Sequence, residues 1–188
     1  MKLLIVEGLD QVGKDTLIES IAREYKHVIK RHWGFPKGEN NDEKTAFQQR
    51  QFMWEFNFYK KNKYDFYTDD EMLMIWNRSH IGEFVYGTIY RNSNPETWIP
   101  VLESGFHFDT NPNIYLVYLY ADPEFVVKED DGKSYSAKLE DKTREINAFH
   151  KAIDDSQIKQ KLKIKVNDGD NYLSKDEILK KVKEFIKS

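Results

Sequence analysis

Near its start the chain runs Leu3-Leu4-Ile5-Val6-Glu7-Gly8-Leu9-Asp10-Gln11-Val12-Gly13-Lys14-Asp15-Thr16, and few local patterns constrain a fold as tightly. Leu3–Val6 is wholly apolar and bounded by Gly8, which suits a buried central strand. After Lys14, apolar residues recur at Leu17, Ile18, Ile21, Ala22 and Tyr25, the spacing of one helix face. Between these elements, Gly8 to Lys14 satisfies G-x-x-x-x-G-K. Glycines let consecutive backbone N–H groups turn inward as an anion nest. The following helix adds its positive N-terminal end, and the lysine reaches the outer phosphates. A strand, this string and a helix in that order imply a nucleoside triphosphate site formed by Gly8, Gln11, Val12, Gly13, Lys14, Asp15 and Thr16. The position after the lysine, where the pattern places Ser or Thr for Mg²⁺, is Asp15, with Thr16 beyond it. A carboxylate can ligate Mg²⁺ directly or through water. The helix dipole alone also favours a first-turn carboxylate. Asp15 and Thr16 are the metal candidates.

The rest of the chain repeats the alternation of strand and helix. Val28–Trp33 reads as a second strand ended by Gly34 and Pro36. Asp42 is placed to cap a long aromatic-rich helix that ends before Tyr64-Asp65, and Met72–Trp76 is the next buried strand. Pro95 starts a helix toward Ser104. Ile114–Tyr120 is the longest apolar run, Lys163–Val166 gives a last strand, and Ser174 caps a closing helix carrying Ile178, Leu179, Val182 and Ile186. Five apolar strands alternating with helices predict a three-layer α/β/α fold, with a mostly parallel sheet covered on both faces, in one domain over residues 1–188. In such sheets ligands bind outside the carboxyl ends of the strands. That rule singles out Glu7–Thr16, Trp33–Pro36, Asn77–His80 and Ala121–Pro123.

Composition narrows the chemistry. The balance of 29 Lys+Arg against 32 Asp+Glu argues against a nucleic-acid backbone as main partner. Zero cysteines exclude disulfides, cysteine-ligated zinc, iron–sulfur clusters and thiol nucleophiles. No apolar run spans a bilayer, and Met1–Val6 is too short for a signal peptide's apolar region, so a soluble, cytoplasmic protein with no membrane partner is expected. The five histidines show no i, i+4 pair to suggest a metal cluster, and no G-x-S-x-G elbow is present.

Taken together, the motifs resemble the P-loop kinases of the thymidylate kinase group, with wording closest to its small virus-type deoxynucleotide kinases. Glu7-Gly8-Leu9-Asp10 with Gly13-Lys14 and Thr16 resembles that group's E-G-x-D-x-x-G-K-x-T loop, and Phe35-Pro36 its F-P turn. Asn77-Arg78-Ser79, with Tyr86-Gly87 beyond, resembles its D-R-Y or D-R-S segment. Ala121-Asp122-Pro123-Glu124 and Val166–Gly169 resemble later landmarks of the same group, the latter its adenine-side loop. The resemblance runs the whole chain in order. It implies ATP and Mg²⁺ as cofactors, a deoxynucleoside monophosphate (dNMP) acceptor, and a homodimer. It also implies that Asp10 takes the acceptor's sugar hydroxyl and that Arg78 holds the acceptor phosphate. Phe35, Phe52, Phe56 and Tyr86 are the further substrate candidates. The usual acid before the arginine is Asn77 here.

The resemblance also implies a mobile lid at about residues 128–145, with Lys133, Lys138, Lys142 or Arg144 closing on the phosphates. Arg144, the only arginine of that stretch, is the first choice and joins Lys14 and Arg78 as a catalytic candidate. Deoxynucleoside kinases place a glutamate at the end of the second strand, where this chain reads Lys30-Arg31-His32-Trp33 with no acid. Transfer to a sugar hydroxyl gains from such a carboxylate, whereas transfer to a phosphate oxygen needs mainly positioning and charge neutralisation. The expectation is therefore phosphoryl transfer to a dNMP. A deoxynucleoside kinase, a kinase acting on a modified nucleotide within DNA, and a nucleotide-binding module without catalysis are the alternatives.

Overall fold

The computed structural model describes residues 1–65 and 71–187, with Tyr64 and Asp65 as backbone only. Five strands form the sheet: β1 (Lys2–Glu7), β2 (His27–His32), β3 (Met72–Asn77), β4 (Ile114–Tyr120) and β5 (Gln160–Lys165). Their order is β2-β3-β1-β4-β5, and every pairing is parallel. The three middle strands are nearly continuous apolar runs because both their faces are covered. The edge strand β2 alternates instead. Lys30 reaches Glu19 on α1 (Lys14–Ala22) at 2.6 Å, while its neighbour Arg31 reaches Glu55 on α2 (Asn41–Asp65). Successive strand residues point to opposite faces, so α1 and α2 cover opposite sides of the sheet. α3 (His80–Arg91) packs against α2 and α6 (Leu139–Asp155), and α7 (Lys175–Lys187) packs beside α1. The architecture is a three-layer α/β/α sandwich. α5 (Pro123–Lys128) joins β4 to the segment that leads into α6.

Several boundaries differ from the sequence expectation for identifiable reasons. α2 is capped by Asn40, not Asp42: Asn40 Oδ1 accepts from Glu43 N at 2.9 Å, and Glu43 Oε2 accepts from Glu39 N at 2.9 Å. This reciprocal arrangement satisfies two orphan N–H groups that Asp42 could not reach. The helix backbone then continues through Asp65. The helix expected from Pro95 splits into a 3₁₀ turn, Pro95–Thr97, and α4, Ile99–Gly105. Pro100 has no N–H to continue one helix, and Trp98 restarts the ladder by accepting from Leu102 N at 2.9 Å. β5 begins at Gln160, before Lys163. A short hairpin, β6 (Asn167–Asp168) and β7 (Asn171–Tyr172), follows it, turning at Gly169 with φ 53°. No described helix is long and apolar enough to cross a membrane.

Candidate active site

β1 has β3 on one side and β4 on the other, so the chain's crossovers leave it in opposite directions. A crevice opens beyond the carboxyl ends at such a point. At the end of β1, the phosphate loop needs two unusual backbone turns. Gly8 lies at φ 147°, where a Cβ would sit 2.3 Å from Leu119 O, and Gly13 at φ 81° forms the N-cap of α1. Only glycine tolerates both conditions at Gly8. Lys14 is buried, and its ammonium donates to Leu9 O across the loop. Burial, and secondarily the nearby Arg78 charge, lowers its pKa to about 8.

At the end of β3, the segment Asn77-Arg78-Ser79 turns toward that loop. Arg78 takes φ 69°, and its N–H donates to Val6 O at 2.9 Å. Its guanidinium pairs with Asp10. Asn77 Nδ2 donates to Asp15 Oδ1 at 2.6 Å. Ser79 caps α3 and donates its hydroxyl to Glu7 Oε1 at 2.6 Å, where Gly82 N also donates at 3.3 Å. Glu7 is wholly buried, and desolvation raises its pKa against the opposing effects of the Ser79 hydroxyl and the Arg78 charge. These bonds set the two strand ends as one rigid unit.

Two cavities meet there. The first, about 380 Å³, is lined by Asp10, Gln11, Gly13, Lys14, Asp15, Thr16, Asn77 and Arg78, and by Asp131 and Lys133 from the loop between α5 and α6. The second, about 130 Å³, is walled by rings, Trp33, Phe35, Phe52, Tyr86 and Tyr135, with Glu7, Gln48, Ser79, Glu83 and Arg91 among its polar groups. Arg78, His32 and Phe35 line both. A third cleft of about 330 Å³ lies on the other side of the phosphate loop. It is mostly apolar and runs from Val12 and Leu17 to Val166, Tyr172, Leu173 and Ile178. The Tyr172 hydroxyl ties its hairpin to Gln11 O at 2.6 Å.

Most expected site residues converge, but not all. The phosphate-loop positions, Asp10, Phe35, Phe52, Arg78 and Tyr86 all line the two joined cavities or the third cleft, apart from Gly8, which shapes the loop from behind. Phe56 does not: it is fully buried between Phe108, Trp76, Phe106 and His80, and stacks on Phe108 at 4.7 Å between ring centres. His80 is equally buried, bonded through Nε2 to Glu103 Oε1 at 2.8 Å. The structure does not bring Arg144 into either cavity; it is exposed on α6. Lys142 is buried with Asp130 and Glu145. Of the cations expected in that segment, Lys133 lines the phosphate cavity. Of the basic run at the end of β2, His32 lines both cavities, while Arg31 is held by Glu55 through bonds of 2.5–3.0 Å and lies against Trp54.

Sequence reasoning missed Gln48, Glu83, Arg91 and Tyr135. Gln48 is 7% exposed and lines the ring-walled pocket. It precedes Phe52 by one helical turn, the only sequence signal that could have found it. Glu83 and Arg91 form a buried ion pair two turns apart on α3, and Tyr135 stacks on Tyr90 at 4.7 Å and on Tyr86 at 5.3 Å. Tyr135 also meets the exposed ring of Phe35 edge-on at 5.2 Å, so the loop after α5 closes the aromatic pocket from above.

Comparison of the fold with solved structures finds the same architecture among nucleotide-handling proteins. One is the YorR protein of Bacillus subtilis, crystallised in complex with phosphorylated GDP. It matches with a TM-score of 0.65 and 19% identity over 98% of this chain and 95% of that one. Another is the thymidylate kinase of Candida albicans, with a TM-score of 0.61 and 12% identity over 99% of this chain and 91% of that one. The chain has a P-loop kinase fold. No family model and no curated protein matches its sequence.

Proposed function

We propose that this chain is an ATP- and Mg²⁺-dependent kinase that transfers a phosphoryl group to a deoxynucleoside monophosphate, in the manner of a thymidylate kinase. The observation that carries the reading is the meeting of the phosphate cavity and the ring-walled pocket at one arginine, Arg78, which lines both. A phosphoryl group held by the loop and an acceptor held by the rings would face each other across that guanidinium. Catalysis of this transfer is mostly positioning and neutralisation of charge, and the site offers both. Gly13 and the start of α1 supply inward N–H groups, while Lys14 and Arg78 supply positive charge from opposite sides. The apolar third cleft suits the donor's base. The ring-walled pocket suits the acceptor's base, with Phe52 as a stacking face and Gln48 as the group that reads its edge. Asp10, held by Arg78, is placed for the acceptor sugar.

The site's oxygens fit magnesium: Asp15 contributes a carboxylate and Thr16 a hydroxyl, both on residues that line the phosphate cavity, and Asn77 Nδ2 donates to Asp15 Oδ1 at 2.6 Å. When bound there, the ion would neutralise charge on the transferring phosphates.

A second reading is favoured by one observation. Lys30 and Arg31 are paired with Glu19 and Glu55. The acceptor pocket's preference for a phosphate therefore rests on Arg78, and a deoxynucleoside kinase is the reading to be separated. The test is ADP release with ATP and Mg²⁺ against all four dNMPs and the matching nucleosides. Release with one or more monophosphates and none with nucleosides is the expected result. Release with nucleosides favours the second reading, and ATP binding without turnover identifies a non-catalytic module.

A further inference from the structure

The ring-walled pocket carries one charged feature that phosphoryl transfer does not use. Glu83 and Arg91, two turns apart on α3, form an ion pair between residues only 3% and 6% exposed, and both line the pocket. Arg91 Nη2 donates to Glu83 Oε2, and Nη1 reaches the Tyr135 hydroxyl only at 3.4 Å. Glu83 Oε1 and Arg91 Nε are left without a hydrogen-bond partner among the described residues. From this pair we infer that the acceptor pocket of the kinase proposed above selects a base bearing an exocyclic amino group. Glu83 accepts from that group, and Arg91 holds the carboxylate in place. Cytosine, adenine and guanine qualify, whereas thymine and uracil do not.

An ion pair taken out of water is costly unless its remaining donors and acceptors are met. This one leaves an acceptor and a donor unspent, in a pocket whose other walls are mostly rings. A ligand edge that brings an N–H to the carboxylate would complete it. The helix also makes room for that carboxylate. Gly87 interrupts α3 one turn beyond Glu83, at a cost in helix propensity. A Cβ there would lie 2.6 Å from Glu83 Oε1 and closer still to Ser93 Oγ. Any side chain at 87 would push the carboxylate from its place. Desolvation raises the Glu83 pKa and the Arg91 charge lowers it, so the acceptor form of Glu83 leans on its partner. The charge then sorts the bases. Cytosine and adenine present an amino group beside a ring acceptor, and guanine presents one beside a ring N–H. Thymine and uracil have a single N–H, at N3, with a carbonyl on each side, so their oxygens would crowd the carboxylate. The phosphate chemistry at Arg78 is unchanged, and only the base moves away from thymine.

The inference rests on the kinase reading, and the experiment separates their failures. dCMP and dUMP differ only in the edge at issue. Calorimetry measures the binding of each, with dAMP, dGMP and dTMP alongside, and ADP release with ATP and Mg²⁺ gives kcat/KM. The wild type should favour dCMP over dUMP by about thirtyfold, the worth of a hydrogen bond to a charged group. Glu83→Gln keeps the shape and offers an N–H of its own to the uracil carbonyl, so the ratio should fall to about threefold or less. The double variant Glu83→Met/Arg91→Met removes both charges together, which buried pairs tolerate. It carries the test if Glu83→Gln does not fold, and it should also lose the ratio. A wild type that favours dUMP and dTMP, or treats all bases alike, overturns the inference. So does a ratio unchanged in the variants, which would make the pair a prop of α3. Preferential binding of the amino-bearing monophosphates without ADP release overturns the kinase reading and leaves the base recognition standing. A wild type that binds no monophosphate overturns both.

Discussion

The phosphate cavity draws half of its lining from one stretch, Asp10 to Thr16, with Asn77 and Arg78 from the neighbouring strand end and His32, Phe35, Asp131 and Lys133 from two further segments around it. The ring-walled pocket beside it has no such centre. Its lining comes from β1, the turn after β2, α2, α3 and the loop before α6. One site is written into backbone geometry over seven consecutive residues, and the other exists only once the sheet has brought distant segments together. The difference predicts how each will respond to change. The local site should be brittle, because single atoms carry its function, and the dispersed one should be graded, because several walls share the load.

The largest effect should come from Lys14. Replacing Lys14 by Ala removes the loop's side-chain cation, and turnover should fall by about a hundred- to a thousandfold, as for loss of one preorganised donor to a developing charge. Single-turnover kinetics check this, and a loss under tenfold would deny the loop its role. The same residue gives a pH signature. In the unliganded protein its pKa is lowered to about 8, so the ammonium is lost as pH rises through that value. kcat/KM for ATP, which reports on the free enzyme, should therefore decline above about pH 8. Stability moves the other way: between about pH 8 and the ordinary lysine value the unfolded chain holds the extra proton, so folding should strengthen with pH there. A Lys14→Met variant should lose both trends.

Gly8 tests whether the brittleness lies in the backbone itself. An alanine there meets Leu119 O at 2.3 Å and Val12 Cγ2 at 2.8 Å, in a conformation that L residues resist. Gly8→Ala should cost about 3 kcal/mol of stability, read as a lowered denaturation midpoint. Gly34, whose Cβ position is open, should accept alanine with little change.

Arg78 stands at the boundary between the two regions. Arg78→Ala removes a charge-assisted contact of about 2 kcal/mol, about thirtyfold in KM for the monophosphate, and releases Asp10 from its ion pair. KM for ATP should move much less. Equal effects on both substrates would make Arg78 a contact shared by donor and acceptor and dissolve the distinction between the pockets.

The same contrast explains how much was legible in the sequence. The sheet, the phosphate loop and the turn at Arg78 could be read because each depends on residues adjacent in the chain: an apolar run, two glycines, a polar cluster after a strand. Phe56 could not be assigned, since periodicity places it on a helix face without saying what that face meets. The fold packs it against Phe108, more than fifty positions away, and not against a ligand. The pairing of Arg31 with Glu55 was equally hidden, because Glu55 lies on a helix whose orientation only the assembled sheet defines. Asp15 and Asn77 read as two separate departures until β3 paired with β1 and brought them within one hydrogen bond.

Gln48 offers the finest discrimination, because it belongs wholly to the dispersed pocket. Its side chain is nearly buried and lines the pocket together with Phe52 and Trp33. A carboxamide presents one donor and one acceptor side by side, so it can match a base edge that offers the complementary pair. Gln48→Leu keeps similar bulk and removes both groups. The variant should fold about as well as the wild type, since a polar group in a ring-walled lining is replaced by an apolar side chain of similar bulk. Turnover at saturating substrate should change little, because the contact lies far from the transferring phosphoryl. The ratio of kcat/KM between preferred and disfavoured bases should narrow by about tenfold, the worth of one neutral hydrogen bond or slightly more. A loss of activity shared equally by all bases would mean that Gln48 shapes the wall and reads nothing. The pocket's selectivity would then come from its rings alone.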